Sequence, residues 1–214
     1  ILFFRMVLGL IALNIAYPRR LKLTDRKQEW LFIGAGISGI TLYYLLENIA
    51  LTVTTATNVS IIVTVAPFFT ALFARWFLQG ERPQRQFYIG FLLALTGIVL
   101  ISVNGNNTLK LNPIGDLLSL LAAVTWAVYS ILIKKIGELG YNTIQTTRRV
   151  FTYGVLFMIP ALLIMDFRFG LERLANVVNA ANIGFLGLCA SAMCFVTWYW
   201  AVKLLGPVTS SVYI

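Results

Sequence analysis

Long apolar runs separated by short polar connectors set the pattern of this chain. Apolar segments cover residues 1–16, 30–51, 57–78, 86–103, 114–133, 150–165 and 183–203. Most approach the ~20 residues that a helix needs to cross a bilayer. The first run starts apolar at Ile1 with no basic leader, so it does not read as a signal peptide. Another run opens at Pro207 and reaches Ile214, the last residue. The pattern predicts an all-α polytopic membrane protein with about seven transmembrane helices plus the start of another, a fragment of a longer polypeptide.

Composition narrows the class. Of 214 residues 59% are hydrophobic and only 12% charged, about half the charged share of an ordinary soluble domain. A soluble globule of this length would need a polar coat that the chain lacks. There is no histidine, and the two cysteines, Cys189 and Cys194, stand five apart on one apolar run. That spacing turns them to different helix faces and makes no metal-ligand pattern. Both are expected to be buried reduced thiols. No metal, no cofactor and no enzymatic activity are expected.

The net charge of +9 is unevenly placed. One set of connectors and span ends holds thirteen basic residues: Arg19, Arg20, Lys22, Arg26, Lys27, Arg75, Arg82, Arg85, Lys134, Lys135, Arg148, Arg149 and Lys203. The alternating set holds only Lys110, Arg168 and Arg173. This asymmetry predicts that the basic loops are cytoplasmic. A nucleic-acid partner is not needed to explain the charge.

The chain also resembles itself. At a shift of 151 residues, Gly36 falls on Gly187, Tyr44 on Phe195 and Ala50 on Ala201; at a shift of 144, Arg5 falls on Arg149. Small residues four apart, Gly34 with Ser38 and Gly187 with Ser191, predict close helix–helix approach. Segment 30–51 runs outward and 183–203 inward, so the repeats are expected to be inverted, as in many secondary transporters. The expected division is 1–105 for a first repeat lacking its first helix and 106–214 for a second, truncated at the start of its fourth. The parent would have about ten helices, five plus five.

Several clusters carry a family resemblance. They are Glu47-Asn48-Ile49-Ala50-Leu51 with Thr57-Asn58-Val59-Ser60, then Ala66-Pro67-Phe68-Phe69-Thr70-Ala71-Leu72 and Gly80-Glu81-Arg82. Gly90, Gly97-Ile98-Val99-Leu100-Ile101 and Trp126-Ala127-Val128-Tyr129 ahead of Lys134-Lys135 follow, with Trp200-Ala201 to Gly206-Pro207-Val208 as the echo. In this order and spacing the chain resembles the EamA-like transporters of the drug/metabolite transporter superfamily. The resemblance implies an inner-membrane permease that moves small metabolites, often outward, by alternating access. It maps the spans onto family helices two to eight and the start of nine.

Candidate chemistry is sparse. Glu47 sits inside an apolar span, where charge costs about 2.5–3.5 kcal/mol on insertion scales. Arg5 is the other charge well inside a span. Counted from the cytoplasmic ends, Arg5 lies ~17 Å and Glu47 ~24 Å up their helices, within bridging reach of an arginine. The pair is expected to lock helices together, with a proton or substrate site as the functional alternative. Glu47, Asn48, Asn58, Ser60, Trp126, Tyr129 and Trp198 are the expected cavity-lining residues. Pro67 is expected to kink its helix. Glu81 with Arg82 is expected to form a cytoplasmic salt bridge or gate. Trp30 and Trp76 fit an interfacial belt.

Gly34-Ala35-Gly36-Ile37-Ser38-Gly39 matches the dinucleotide pattern G-x-G-x-x-G. The pattern requires a second strand ending in an acid about 20 positions on. Residues 52–60 hold no acid, so helix packing is the better explanation. No Walker motif is present, which leaves an ion or substrate gradient to drive transport. The function expected is export or permeation of small organic metabolites such as amino acids, drugs or related solutes. The alternative is a non-transporting seven-helix receptor or structural membrane protein. Expected partners are the lipid bilayer, a small-molecule substrate, a coupling ion such as a proton, and a second copy in a homodimer.

Overall fold

A computed structural model describes residues 1–78, 83–104, 112–164 and 176–213. The regular structure among these residues is entirely helical, with no strand. Helix α1 spans Leu2–Ala16, α2 Glu29–Gly36, α3 Tyr43–Val53, α4 Ala56–Val63, α5 Ala66–Phe77 and α6 Arg85–Asn104. Then come α7 (Pro113–Glu138), α8 (Thr143–Ile164), α9 (Val177–Gly187), α10 (Cys194–Leu205) and the short α11 (Pro207–Ser211). Two π-helical segments, Ile37–Leu42 and Leu188–Met193, join α2 to α3 and α9 to α10. Five helical stretches are long and apolar enough to cross a bilayer: 26–53, 56–77, 113–138, 143–164 and 177–205. With α1 and α6, they occupy the seven apolar runs, and α11 occupies the eighth. The protein is an integral membrane protein.

Local chemistry sets the helix starts. Asn112 Oδ1 accepts from the Ile114 and Gly115 amides at 3.2 Å each, capping α7. Asn142 caps α8 the same way, through Ile144 N at 3.0 Å and Gln145 N at 3.3 Å. Asn176 caps α9 and Thr55 caps α4. Each cap satisfies amides that have no partner within the helix. The Asn142 cap starts α8 seven residues before the apolar run at 150, so Arg148 and Arg149 are helical rather than loop residues. Gly206 (φ +85°) supplies the left-handed turn before α11, a conformation that favours glycine.

The chain divides into two compact units, residues 1–41 with 132–204, and 42–131 with 205–214. Each draws on both halves of the sequence. In the first, α2 packs on α8, while α1 packs on α8, α9 and the second π segment. The α2–α8 seam is tight. A methyl group on Gly36 would sit 2.7 Å from Tyr153 Cβ and 2.8 Å from the Gly154 N and Val150 O backbone atoms. Ile40 fills the notch at Gly154, and Thr41 Oγ1 donates to the Gly154 carbonyl at 2.9 Å. The α1–α9 seam is its counterpart: a methyl group on Gly187 would meet Leu8 at 2.8 Å. Small residues thus admit neighbouring backbones where lipid supplies no hydrophobic drive. The Gly34–Gly39 run lies in this continuous helix, not in a strand-to-helix turn.

The second unit contains α3 to α6, most of α7 and α11. Thr54, extended between α3 and α4, packs against Gly115, where a methyl group would lie 2.7 Å from its side chain. Asn112 Nδ2 donates to the Val53 carbonyl at 2.6 Å, tying the end of α3 to the start of α7. Ala74, Leu78 and Ile131 form a small core with Phe73 and Val208. Cys189 is half-buried and Cys194 exposed, both free thiols. This corrects the expectation that both are buried; Cys194 faces outward on α10, where lipid solvates an apolar thiol without cost.

Candidate functional site

In the second unit, α3 and α7 bring three of the expected residues into one cluster. Tyr43 is its centre. Its hydroxyl donates to Glu47 Oε1 at 3.2 Å, one helical turn on. Its ring lies 4.9 Å from Trp126 and 4.9 Å from Tyr44, centroid to centroid. Trp126 in turn lies 5.2 Å from Tyr129. Tyr43 and Tyr129 are buried, while Glu47 and Trp126 are half-buried. The arrangement is a carboxylate held by a phenol at the edge of an aromatic wall. It offers one anionic or proton-carrying group and flat apolar faces, the composition of a small-solute site.

The other expected residues sit elsewhere. Asn58, buried at the start of α4, donates through Nδ2 to Thr54 Oγ1 at 3.3 Å and so belongs to the α3–α4 turn. Asn48 is exposed and donates to the Tyr44 carbonyl at 2.7 Å. Ser60 is exposed on α4. Trp198 is half-buried on α10 of the first unit, and Arg5 half-buried on α1 of that unit. Glu81 and Arg82 lie outside the described residues.

The helix containing Pro67 breaks before the proline. Residues Thr64 and Val65 separate α4 from α5, and Pro67 occupies the first turn of α5, where its missing amide costs nothing. Beside the break is a cavity of about 400 Å³. Thr64, Pro67, Gln86, Phe87, Gly90 and Ser211 are among its lining residues. Phe91, also in its wall, stacks on Phe68 at 5.8 Å. Pro67 was the sequence signal for this feature. The contribution of α6 carried none, because an apolar helix face reads alike toward lipid and toward a cavity.

A polar cluster in the first unit was not expected from the sequence at all. Glu29, in the first turn of α2, is clasped by Arg149, whose Nε donates to Oε1 at 2.7 Å and whose Nη2 donates to Oε2. The Tyr153 hydroxyl donates to the same carboxylate. Arg149 Nη1 also donates to the Leu21 carbonyl at 2.9 Å. The neighbouring Arg148, only 8% exposed, donates to the Tyr17 carbonyl at 2.6 Å and the Arg19 carbonyl at 2.8 Å. Gln145 Nε2 adds a bond to Arg19 O at 3.0 Å. One turn of α8 therefore pins the whole connector between α1 and α2. The available signal was Arg149 with Tyr153 at four-residue spacing and an acid at the opening of the next span.

Comparison with known proteins places the chain. The model of the EamA-like transporter family matches it twice, over residues 1–103 and 113–214. An Archaeoglobus fulgidus protein named an uncharacterized transporter is 32% identical over 191 residues, covering 87% of this chain and 63% of its own length. A probable terminal-alkyne amino-acid exporter of Streptantibioticus cattleyicolor is 30% identical, covering 82% of this chain and 57% of its own length. The Escherichia coli K12 inner membrane transporter YedA, itself uncharacterized, is 24% identical over 72% of this chain and 48% of its own. The chain thus spans about half to 63% of the length of these relatives. A crystal structure 21% identical to it superposes with a TM-score of 0.71 over 98% of this chain and 73% of that one, which shows a shared fold. By its family match and its relatives, this chain belongs to the EamA-like transporter family.

Proposed function

We propose that the chain is the helical core of an inner-membrane permease that exports small organic metabolites by alternating access of two inverted halves. The observation that carries this reading is the Glu47–Tyr43–Trp126–Tyr129 cluster in a member of a transporter family. The paired π segments support the two-half reading: Ile37–Leu42 and Leu188–Met193 are separated by the same 151 residues that align the sequence repeat. The naming of a Streptantibioticus relative as an amino-acid exporter favours amino acids or related solutes. The aromatic wall would hold the apolar part of the solute, and Glu47 would hold its cationic group or a coupling proton. The basic connectors face the cytoplasm by their charge, and a homodimer is compatible with the extensive apolar exterior.

A second reading seats the solute in the 400 Å³ cavity beside the Pro67 break, which is large enough for a small metabolite. Reconstitution of the full-length protein in proteoliposomes tests both. The panel is amino acids, cationic dyes and sugars, with and without a pH gradient. Uptake of none of them above empty liposomes, by a folded preparation, defeats the transporter reading. Uptake lost in Trp126→Ala but kept in Gly90→Leu assigns the aromatic cluster; the reverse assigns the cavity.

A further inference from the structure

The connector between α1 and α2 carries five cations in nine residues: Arg19, Arg20, Lys22, Arg26 and Lys27. All five are exposed. Two acids lie in or beside this connector, and among the described residues only Glu29 is paired with a cation. Asp25 Oδ1 accepts from the Lys27 amide at 2.9 Å, and Glu29 is held by Arg149 and Tyr153. The backbone beneath the cations is fixed, because Arg148, Arg149 and Gln145 take the Tyr17, Arg19 and Leu21 carbonyls, and Tyr141 bonds Thr24 N at 2.9 Å and Gln28 Oε1 at 2.6 Å. An ordinary basic loop loses conformational entropy when it takes up an anion. This one has already been ordered by its own arginines.

Its depth is also set. Arg26 and Lys27 open the span that runs to Val53, and Trp30, 74% exposed, projects from the first turn of α2. Exposed tryptophan beside the start of an apolar span marks the headgroup layer. The loop therefore lies where phosphodiesters lie, with five cations against one exposed carboxylate, Asp25, within residues 19–27.

We infer that residues 19–27 form a preorganised binding site for the headgroups of anionic phospholipids. Arg148 and Arg149 act on it indirectly, as positioning residues that hold the loop backbone. Each loop cation near an anionic surface contributes on the order of five-fold in affinity.

The test uses the full-length protein in mixed detergent–lipid micelles, with retained phosphatidylglycerol and phosphatidylcholine counted by native mass spectrometry. Wild type should retain phosphatidylglycerol selectively. Replacing Arg19, Arg20, Lys22, Arg26 and Lys27 together by glutamine should abolish the preference, and Arg20→Gln with Lys27→Gln should weaken it by at least about ten-fold. The milder pair keeps the test valid if the five-fold variant does not fold. Arg148→Gln should weaken it as well while leaving every loop cation in place. Equal retention of the two lipids by wild type, or an unchanged preference in the paired variant, overturns the inference. Displacement of phosphatidylglycerol by millimolar inorganic phosphate would also overturn it, by showing a site for the free anion instead.

Discussion

Adding one methyl group at two glycines should have opposite effects on stability. Gly36 and Gly90 both lie in apolar helical stretches. At Gly36 the new carbon would meet Tyr153 Cβ at 2.7 Å and two backbone atoms of α8 at 2.8 Å. Backbone atoms cannot step aside as the end of a side chain can, so α2 and α8 must separate. Overpacking of this kind costs about 1–3 kcal/mol, and the helix preference for alanine returns no more than about 1 kcal/mol. Gly36→Ala should therefore lose up to about 2 kcal/mol. Gly90, by contrast, has no atom within 4 Å of the same position. Gly90→Ala should gain up to about 1 kcal/mol from helix preference alone. The two variants should differ by roughly five- to hundred-fold in folded-to-unfolded ratio. Reversible unfolding of the full-length protein in detergent with increasing dodecyl sulfate reads this ratio. Equal shifts for the two alanines would show that the α2–α8 seam is not close-packed, and the packing argument would fail with it.

Four other outcomes follow from the geometry. Arg149→Lys loses the two-pronged grip on Glu29 and should cost about 1–3 kcal/mol; limited proteolysis between residues 17 and 25 should accelerate, and an unchanged cleavage rate would deny the pin. Glu47→Gln should remove the pH dependence of transport, with Tyr43→Phe shifting its midpoint; flux profiles that superpose with wild type between pH 5 and pH 8 would exclude a proton role. Asn112→Ala removes a helix cap and the bond to Val53 O, for a loss of about 1–2 kcal/mol, which Asn112→Asp should partly restore because a carboxylate still caps; thermal denaturation distinguishes the two. Gly90→Leu should fill the cavity at the Pro67 break without destabilising the protein, and an uptake rate equal to wild type is expected if the aromatic cluster is the transport site.

Much of the fold was legible because bilayer physics writes long signals. A run such as 114–133 has few meanings once its length and apolarity are known. Glu47 and the Trp126–Tyr129 pair were legible for related reasons: charge inside a span is costly, and three-residue spacing shares a helix face. Tyr43 was not, since a tyrosine at the start of α3 looks the same whether it bonds a carboxylate or meets a headgroup. Arg148 and Arg149 were counted with the loop charges because their partners are carbonyl oxygens and one distant acid. Backbone acceptors leave no trace in side-chain pattern. The break at Thr64–Val65 was similarly blurred: Pro67 announced irregularity, but proline in a first helical turn is compatible with regular helix on its C-terminal side.

The π segment at Ile37–Leu42 changes which way α3 points. An α-helix turns about 100° per residue, so positions seven and eleven apart come back to within about 20° of one another. On an unbroken helix Gly36, Tyr43 and Glu47 would form one stripe. A π turn absorbs one additional residue and rotates everything after it by about 100°. Upstream of that rotation the helix shows Gly36 to α8; downstream it shows Tyr43, which holds Glu47, to Trp126 of α7. The segment works as a phase shifter, letting one helical stretch serve two sets of neighbours. Deleting a single residue from it would re-aim Glu47 by about 100° while leaving Glu47, and everything that touches it in sequence, unaltered.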